Sequence, residues 1–96
     1  MKAVICWVRP EDGGRSAPPA GEGSTPYAPL VKLEGQPWPP IEAWSLIVQK
    51  VKVIDRYTWE AEVRFLVREA PTELLVSGRA FSLYEGSKLV AEGTLH

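Results

Sequence analysis

The stretch TWEAEVRFLVR, residues 58–68, decides the fold class because its apolar residues recur at almost every second position. Successive side chains of a β-strand point to opposite faces, so this alternation predicts a strand with one buried and one solvated face. Read as a helix, the same residues would spread their charges around the whole circumference and leave no apolar stripe. The residues predicted to face inward are Trp59, Ala61, Val63, Phe65 and Val67.

The rest of the chain shows a strand-like pattern in five further segments and no helical stripe of useful length. Between residues 10 and 26, and again between 35 and 40, prolines and glycines are too dense for a regular element. Six short strands bury their apolar faces and edges when the sheet closes into a barrel or forms a sandwich. The predicted strands are 2–9, 27–34, 43–54, 58–68, 79–84 and 88–95.

Some of these segments carry finer predictions. The first strand has apolar side chains on both faces, which predicts that both faces are covered and that the thiol of Cys6 is buried and inert. The third strand slips out of alternation near Gln49, as a β-bulge would cause. The short connection Glu85-Gly86-Ser87 predicts a hairpin, and Gly93 is expected to leave room for a bulky neighbour or a bend.

Composition limits the classes of function. A chain of 96 residues, 45% of them hydrophobic, predicts a single domain over residues 1–96 with a long irregular loop at 10–26. The net charge of −1 lacks the positive excess of a protein that binds nucleic acid mainly through phosphates. With one cysteine, and His96 as the sole histidine, we expect no metal site, no cofactor and no catalytic centre. We expect no signal peptide, no membrane span and a cytoplasmic location.

Two segments, read together, carry a family resemblance. Near the start, the strand AVICWVRP (3–10) is followed by EDGGRS (11–16) and then by Tyr27-Ala28-Pro29. At the end stands the hairpin GRAFSLYEGSKLVAEGTL (78–95). In order and spacing these segments resemble the third, C-terminal β-barrel domain of bacterial translation elongation factor Tu. The matching positions of the hairpin are Gly78, Phe81, Leu83, Glu85, Gly86, Lys88, Val90 and Gly93.

The resemblance implies a six-stranded antiparallel Greek-key barrel and a translation-related module. No phosphate-binding GxxxxGK[ST] motif is present, so we expect no nucleotide. In the family, the glutamate of the Glu-Gly pair contacts the T-stem of tRNA, and Glu85 holds that place. A second contact, the polar residue after the Tyr-x-Pro element, falls on Leu30, whose side chain cannot form a hydrogen bond. The resemblance therefore implies only part of the RNA-contacting set.

Further candidates come from the loops. Arg15 follows two glycines, so it could hold a phosphate beside backbone N–H groups. Trp38 lies between prolines in PWPP (37–40), an extended segment that suits stacking on a partner or closing the barrel end. The full candidate binding set is Tyr27, Glu85, Gly86, Lys88, Arg15 and Trp38.

The expected function is that of a non-catalytic, stand-alone binding module with an unidentified protein or RNA partner. Two alternatives remain open. The apolar first strand suggests a structural homodimer. Trp38 and Trp44 suggest a small ligand-binding β module, for instance one that stacks on a carbohydrate.

Overall fold

The computed structural model describes residues 1–14, 27–35 and 44–96, and these residues form an all-β structure. Helical structure in these ranges is limited to two 3₁₀ turns, Pro10–Asp12 and Thr72–Leu74. No helix among them is long and apolar enough to cross a membrane. The strands are β1 (Lys2–Trp7), β2 (Leu30–Leu33), β3 (Trp44–Asp55), β4 (Thr58–Phe65), β5 (Ala80–Glu85) and β6 (Lys88–Leu95).

The six strands close into a barrel in the order β1-β4-β3-β2-β5-β6, and every neighbouring pair is antiparallel. Closure depends on β1, which pairs with β4 on one side and with β6 on the other. The first and last strands of the chain therefore lie side by side, from Ala3 opposite Leu95 to Trp7 opposite Ala91. The prediction of a closed, six-stranded antiparallel barrel is confirmed.

The barrel interior is filled by apolar side chains from all six strands, and no polar or charged residue in the described ranges is buried. Burying each of the larger aliphatic side chains contributes roughly 1.5–3 kcal/mol relative to leaving it exposed. The largest fully buried side chains are Ile5, Leu33, Leu46, Leu83, Leu95, Val63 and Val90.

Strand β1 is buried on one face, which corrects the prediction that both faces are covered. Ala3, Ile5 and Trp7 point into the barrel, whereas Cys6 on the opposite face is exposed. The outward face of β1 lines a shallow groove of about 460 Å³ that continues across β6, β5 and β2. The thiol sulfur of Cys6 lies 4.0 Å from the hydroxyl oxygen of Thr58, so its neighbour is polar and it does not lie in a core.

Strand β3 contains the predicted bulge and a second one. Its register against β4 shifts between Lys50 and Lys52 and again between Val53 and Asp55. The shifts place Val53 opposite Trp59, which faces the interior. A strand with these interruptions bends and twists more than a regular one.

Strand β4 is three residues shorter than predicted. It ends at Phe65, and Val67, expected in the core, is 42% exposed. The Leu66 N–H still donates to the carbonyl of Ser45 at 2.9 Å, after which the chain leaves the sheet. The alternating sequence pattern thus extends three residues past the end of β4.

Gly93 is predicted to make room for a bulky neighbour, and the structure identifies that neighbour as Phe81. The two residues face each other across the β5–β6 pair. A Cβ atom on Gly93 would lie 2.9 Å from the Cε1 and Cε2 carbons of the Phe81 ring and closer still to Cζ. The buried ring of Phe81 therefore occupies the space that a side chain at position 93 would need.

We predict that Gly93→Ala lowers the free energy of unfolding by about 1–3 kcal/mol, because the methyl group and the Phe81 ring cannot occupy the same space. Urea denaturation measures the change. In the Phe81→Leu background the same substitution should cost less, since leucine has no ring carbons at that place. Strictly additive losses in the double variant would contradict the steric explanation.

Candidate functional site

One end of the barrel gathers four of the six candidate residues, and we call it the Tyr27 end. Here β1 ends at Trp7, whose N–H donates to the carbonyl of Tyr57 in the β3–β4 turn at 2.7 Å. The turn between β5 and β6 lies at the same end, since β5 ends at Glu85 and β6 begins at Lys88. Candidate residues here are Tyr27, Glu85, Gly86 and Lys88; Arg15 and Trp38 fall outside the described residues.

Tyr27 is positioned by backbone pairing with β3. Its carbonyl accepts the N–H of Val48 at 2.8 Å, and the carbonyl of Pro29 accepts the N–H of Leu46 at 3.0 Å. These bonds extend the contact between β2 and β3 beyond the four residues of β2 itself. Among the described residues, the segment that leads into β2 therefore first pairs with the sheet at Tyr27, and most of the predicted loop 10–26 lies outside the described residues.

The side chain of Tyr27 joins this segment to the β5–β6 hairpin. Its hydroxyl donates a hydrogen bond to Oε2 of Glu85, and both side chains are half-buried. A hydrogen bond to an ionised carboxylate is stronger than one between neutral groups. The glutamate that the family resemblance assigns to RNA contact is thus held by a residue of its own chain.

The hairpin turn fixes the direction of Glu85. Gly86 has a φ of +63°, a left-handed conformation that glycine adopts without the steric cost of a Cβ atom. Across the turn, Glu85 faces the exposed Lys88. The turn therefore sets a carboxylate and an ammonium group on neighbouring strands at the Tyr27 end.

Aromatic rings close the interior beneath this end. The Trp7 ring lies 5.6 Å from that of Tyr27 and 4.9 Å from that of Trp59, measured between centroids. Trp7 and Trp59 are buried, which confirms their predicted role in the core. The indole N–H of Trp7 finds no acceptor within the described ranges, so it is a buried donor at the boundary between the core and the end surface.

Three cations lie over aromatic rings at the same end. The ammonium of Lys50 is 5.4 Å from the centroid of the Trp59 ring. The guanidinium carbons of Arg9 and Arg56 are 5.2 and 5.5 Å from the centroid of the Tyr57 ring. Contacts of this kind are electrostatic and orient the cation relative to the ring. The Tyr27 end therefore carries ordered positive charge around its aromatic cluster.

Beyond these residues, the outer half of β3 exposes aliphatic side chains. Val51, Val53 and Ile54 are 54%, 50% and 53% exposed, and we call them the β3 strip. In the described part of the chain, the pairing of β3 on its β2 side ends with the bridge between Tyr27 and Val48. The strip is therefore paired there with a single neighbouring strand, β4. The strip is the densest run of exposed large apolar residues in the described ranges, and exposed apolar surface is a feature of interaction sites.

The β3 strip was not identified from the sequence, because the slip in alternation near Gln49 left the faces of the residues that follow it unassigned. The available signal was the bulge, which predicted that the regular pattern would fail beyond Gln49. Trp44 is the other tryptophan considered for ligand binding. It is partly buried, and its ring packs edge-on against that of Phe65, with 6.5 Å between the ring centroids.

The acidic residues of the described ranges do not assemble into a metal site. No group of three or more histidine, cysteine, aspartate or glutamate side chains there lies close enough to hold an ion. The Tyr27 end and the β3 strip present aliphatic side chains, cations that lie over aromatic rings, and the carboxylate of Glu85, which accepts a hydrogen bond from Tyr27.

We predict that Tyr27→Phe lowers the free energy of unfolding by about 1–2 kcal/mol, since a half-buried carboxylate loses a donor. Urea denaturation of Tyr27→Phe, Glu85→Gln and the double variant measures the coupling between the two side chains. A coupling energy of at least about 0.5 kcal/mol is expected for residues in direct contact. Independent, additive effects would show that the bond contributes nothing to folding.

No protein-family model matches the chain, and the search of curated proteins finds no match.

Proposed function

We propose that this chain is a non-catalytic binding module that docks on a protein through the β3 strip and the adjoining Tyr27 end. The observation that carries the proposal is the exposure of Val51, Val53 and Ile54, each at about half of its surface. Aliphatic side chains gain free energy when a partner removes them from water, at roughly 25 cal/mol per Å². The proposal keeps the resemblance to the elongation factor Tu barrel domain, because that resemblance suggests a β-barrel that acts as a binding module.

Several contacts favour a protein over an RNA partner. RNA recognition commonly stacks bases on free aromatic faces. At the Tyr27 end, Trp7 and Trp59 are buried, and the ring of Tyr57 already contacts two guanidinium groups. Glu85, the candidate contact taken from the family, accepts the hydroxyl of Tyr27. Protein docking through aliphatic surface fits this arrangement better than base stacking does.

The net charge supports the same choice. With eleven basic and twelve acidic residues, the chain has no overall excess of positive charge with which to attract a phosphate backbone. Binding to RNA under these conditions would be weak and would fall steeply with salt.

The decisive experiment is affinity capture from a lysate of the native cell with three forms of the chain. The wild type is compared with Val53→Ser/Ile54→Ser, which makes the strip polar, and with Val76→Ser, an aliphatic residue that is 43% exposed outside the strip. We expect a protein that is retained by the wild type and by Val76→Ser and lost with the strip variant.

Thermal unfolding supplies the folding control, because exposed substitutions normally change stability by no more than about 0.5 kcal/mol. Retention of the same protein by the strip variant would contradict docking through β3. Loss of the captured material after ribonuclease treatment would instead identify an RNA-dependent interaction.

A further inference from the structure

We propose that the partner occupies the β3 strip with an extended segment that is acidic and aliphatic. This inference rests on the proposed function, which supplies the protein partner, and adds the chemistry of the segment that binds. It follows from the charges that surround the strip and from the irregular edge on which the strip lies.

The charge around the strip is positive although the chain as a whole is not. Residues 50–57 carry three cations, Lys50, Lys52 and Arg56, and a single carboxylate, Asp55. Oδ1 of Asp55 accepts the N–H of Tyr57 at 2.9 Å, so this carboxylate is directed into the turn. The local excess of cations complements a partner that carries carboxylates.

The nearest acidic residue of β4 offsets this excess only in part. Glu60 faces Lys52 across the β3–β4 pair, and its Oε1 lies 3.9 Å from the ammonium of Lys2. The ion pair of Glu60 is thus formed with Lys2 on β1, while Lys52 is its cross-strand neighbour on β3. Exposed ion pairs of this kind contribute little and are readily exchanged for a partner's carboxylate.

The cations at the turn are already oriented. Arg9 and Arg56 both lie over the ring of Tyr57, and Glu11 contacts Arg9 at 3.9 Å from the solvent side. A guanidinium group whose position is restricted before binding loses less side-chain entropy when a carboxylate arrives. The tip of the β3–β4 pair is thus suited to hold an anionic side chain next to aliphatic surface.

A second copy of this chain fits the strip less well. A stable interface buries roughly 800 Å² on each partner, far more than three half-exposed aliphatic side chains provide. Two copies meeting at their strips would also bring like charges together. The register shifts at Val51 and Ile54 break the regular spacing of backbone groups, a feature that protects strand edges from pairing with one another.

The same irregularity indicates how the segment binds. Because the edge does not offer a regular ladder, side-chain contacts with Val51, Val53 and Ile54 must supply the binding surface. Lys52 lies opposite Glu60 and Val53 opposite Trp59, so these cationic and aliphatic side chains leave β3 on opposite faces. Successive side chains of an extended segment also point to opposite faces, so its carboxylates can reach Lys52 while its aliphatic side chains contact Val53. The required partner chemistry is therefore an alternation of acidic and aliphatic residues.

The test uses a displayed library of random twelve-residue peptides selected on the immobilised full chain. We expect the enriched peptides to carry net negative charge and several aliphatic residues. The best peptide, made synthetically, should bind at least about tenfold more weakly to Lys52→Glu/Arg56→Glu, and its affinity for the wild type should fall as salt rises. The matched control is Arg64→Glu/Arg68→Glu, a charge reversal at two exposed positions outside the strip, which should leave the affinity unchanged.

Each alternative result has a defined meaning. Peptides without acidic residues that still require Val53 and Ile54 would overturn the acidic chemistry and leave the protein-docking proposal standing. Peptides that bind equally to Val53→Ser/Ile54→Ser, or no enrichment at all, would overturn the segment as occupant of the strip. Sedimentation that shows a dimer dissociated by Val53→Ser/Ile54→Ser would assign the strip to a second copy and overturn the proposal.

Discussion

The simultaneous pairing of β1 with β4 and β6 is the constraint on which the rest of the structure depends. Without it, β4 and β6 would each present an open edge and one side of the interior would face water. Closure brings residues from both ends of the chain into one core, and it leaves little tolerance for added volume. The contact of Phe81 with Gly93 is an example of this tight packing, because a single methyl group at position 93 has no space beside the ring.

A mismatch in strand length then creates the candidate site. β2 has four residues and β3 has twelve, so within the described ranges β3 is paired on both sides near Trp44 and on one side near Asp55. Tyr27 extends the wall by one bridge to Val48 and by its bond to Glu85. Beyond that point β4 is the one strand paired with β3 among the described residues, and the aliphatic side chains of β3 are exposed. The proposed docking surface is therefore part of the barrel itself and follows from the different lengths of two of its strands.

The sequence predicted the features that depend on local patterns. The alternation of β4, the hairpin at Gly86, the slip near Gln49 and the steric role of Gly93 all follow from neighbouring residues, and the structure confirms them. The errors arose where a pattern has two meanings. Apolar residues on both faces of β1 suggested double cover, yet the barrel covers one face and leaves Cys6 exposed. Likewise, no local pattern in β3 reveals that the described pairing with β2 covers only its first half. The hydrogen bond between Tyr27 and Glu85 joins positions 58 residues apart, so no local pattern reveals it either. Such features depend on which strands become neighbours.

The arrangement separates the residues that stabilise the fold from those available for binding. Interior side chains such as Ile5 and Leu83 contribute to unfolding free energy and are inaccessible to a partner. The β3 strip has the opposite properties, since its residues contribute little burial and lie beside cations held over aromatic rings. Residues that contribute little to folding can change partner chemistry without loss of the barrel. For that reason a polar substitution in the strip separates binding from stability more cleanly than any substitution in the core, where both would change together.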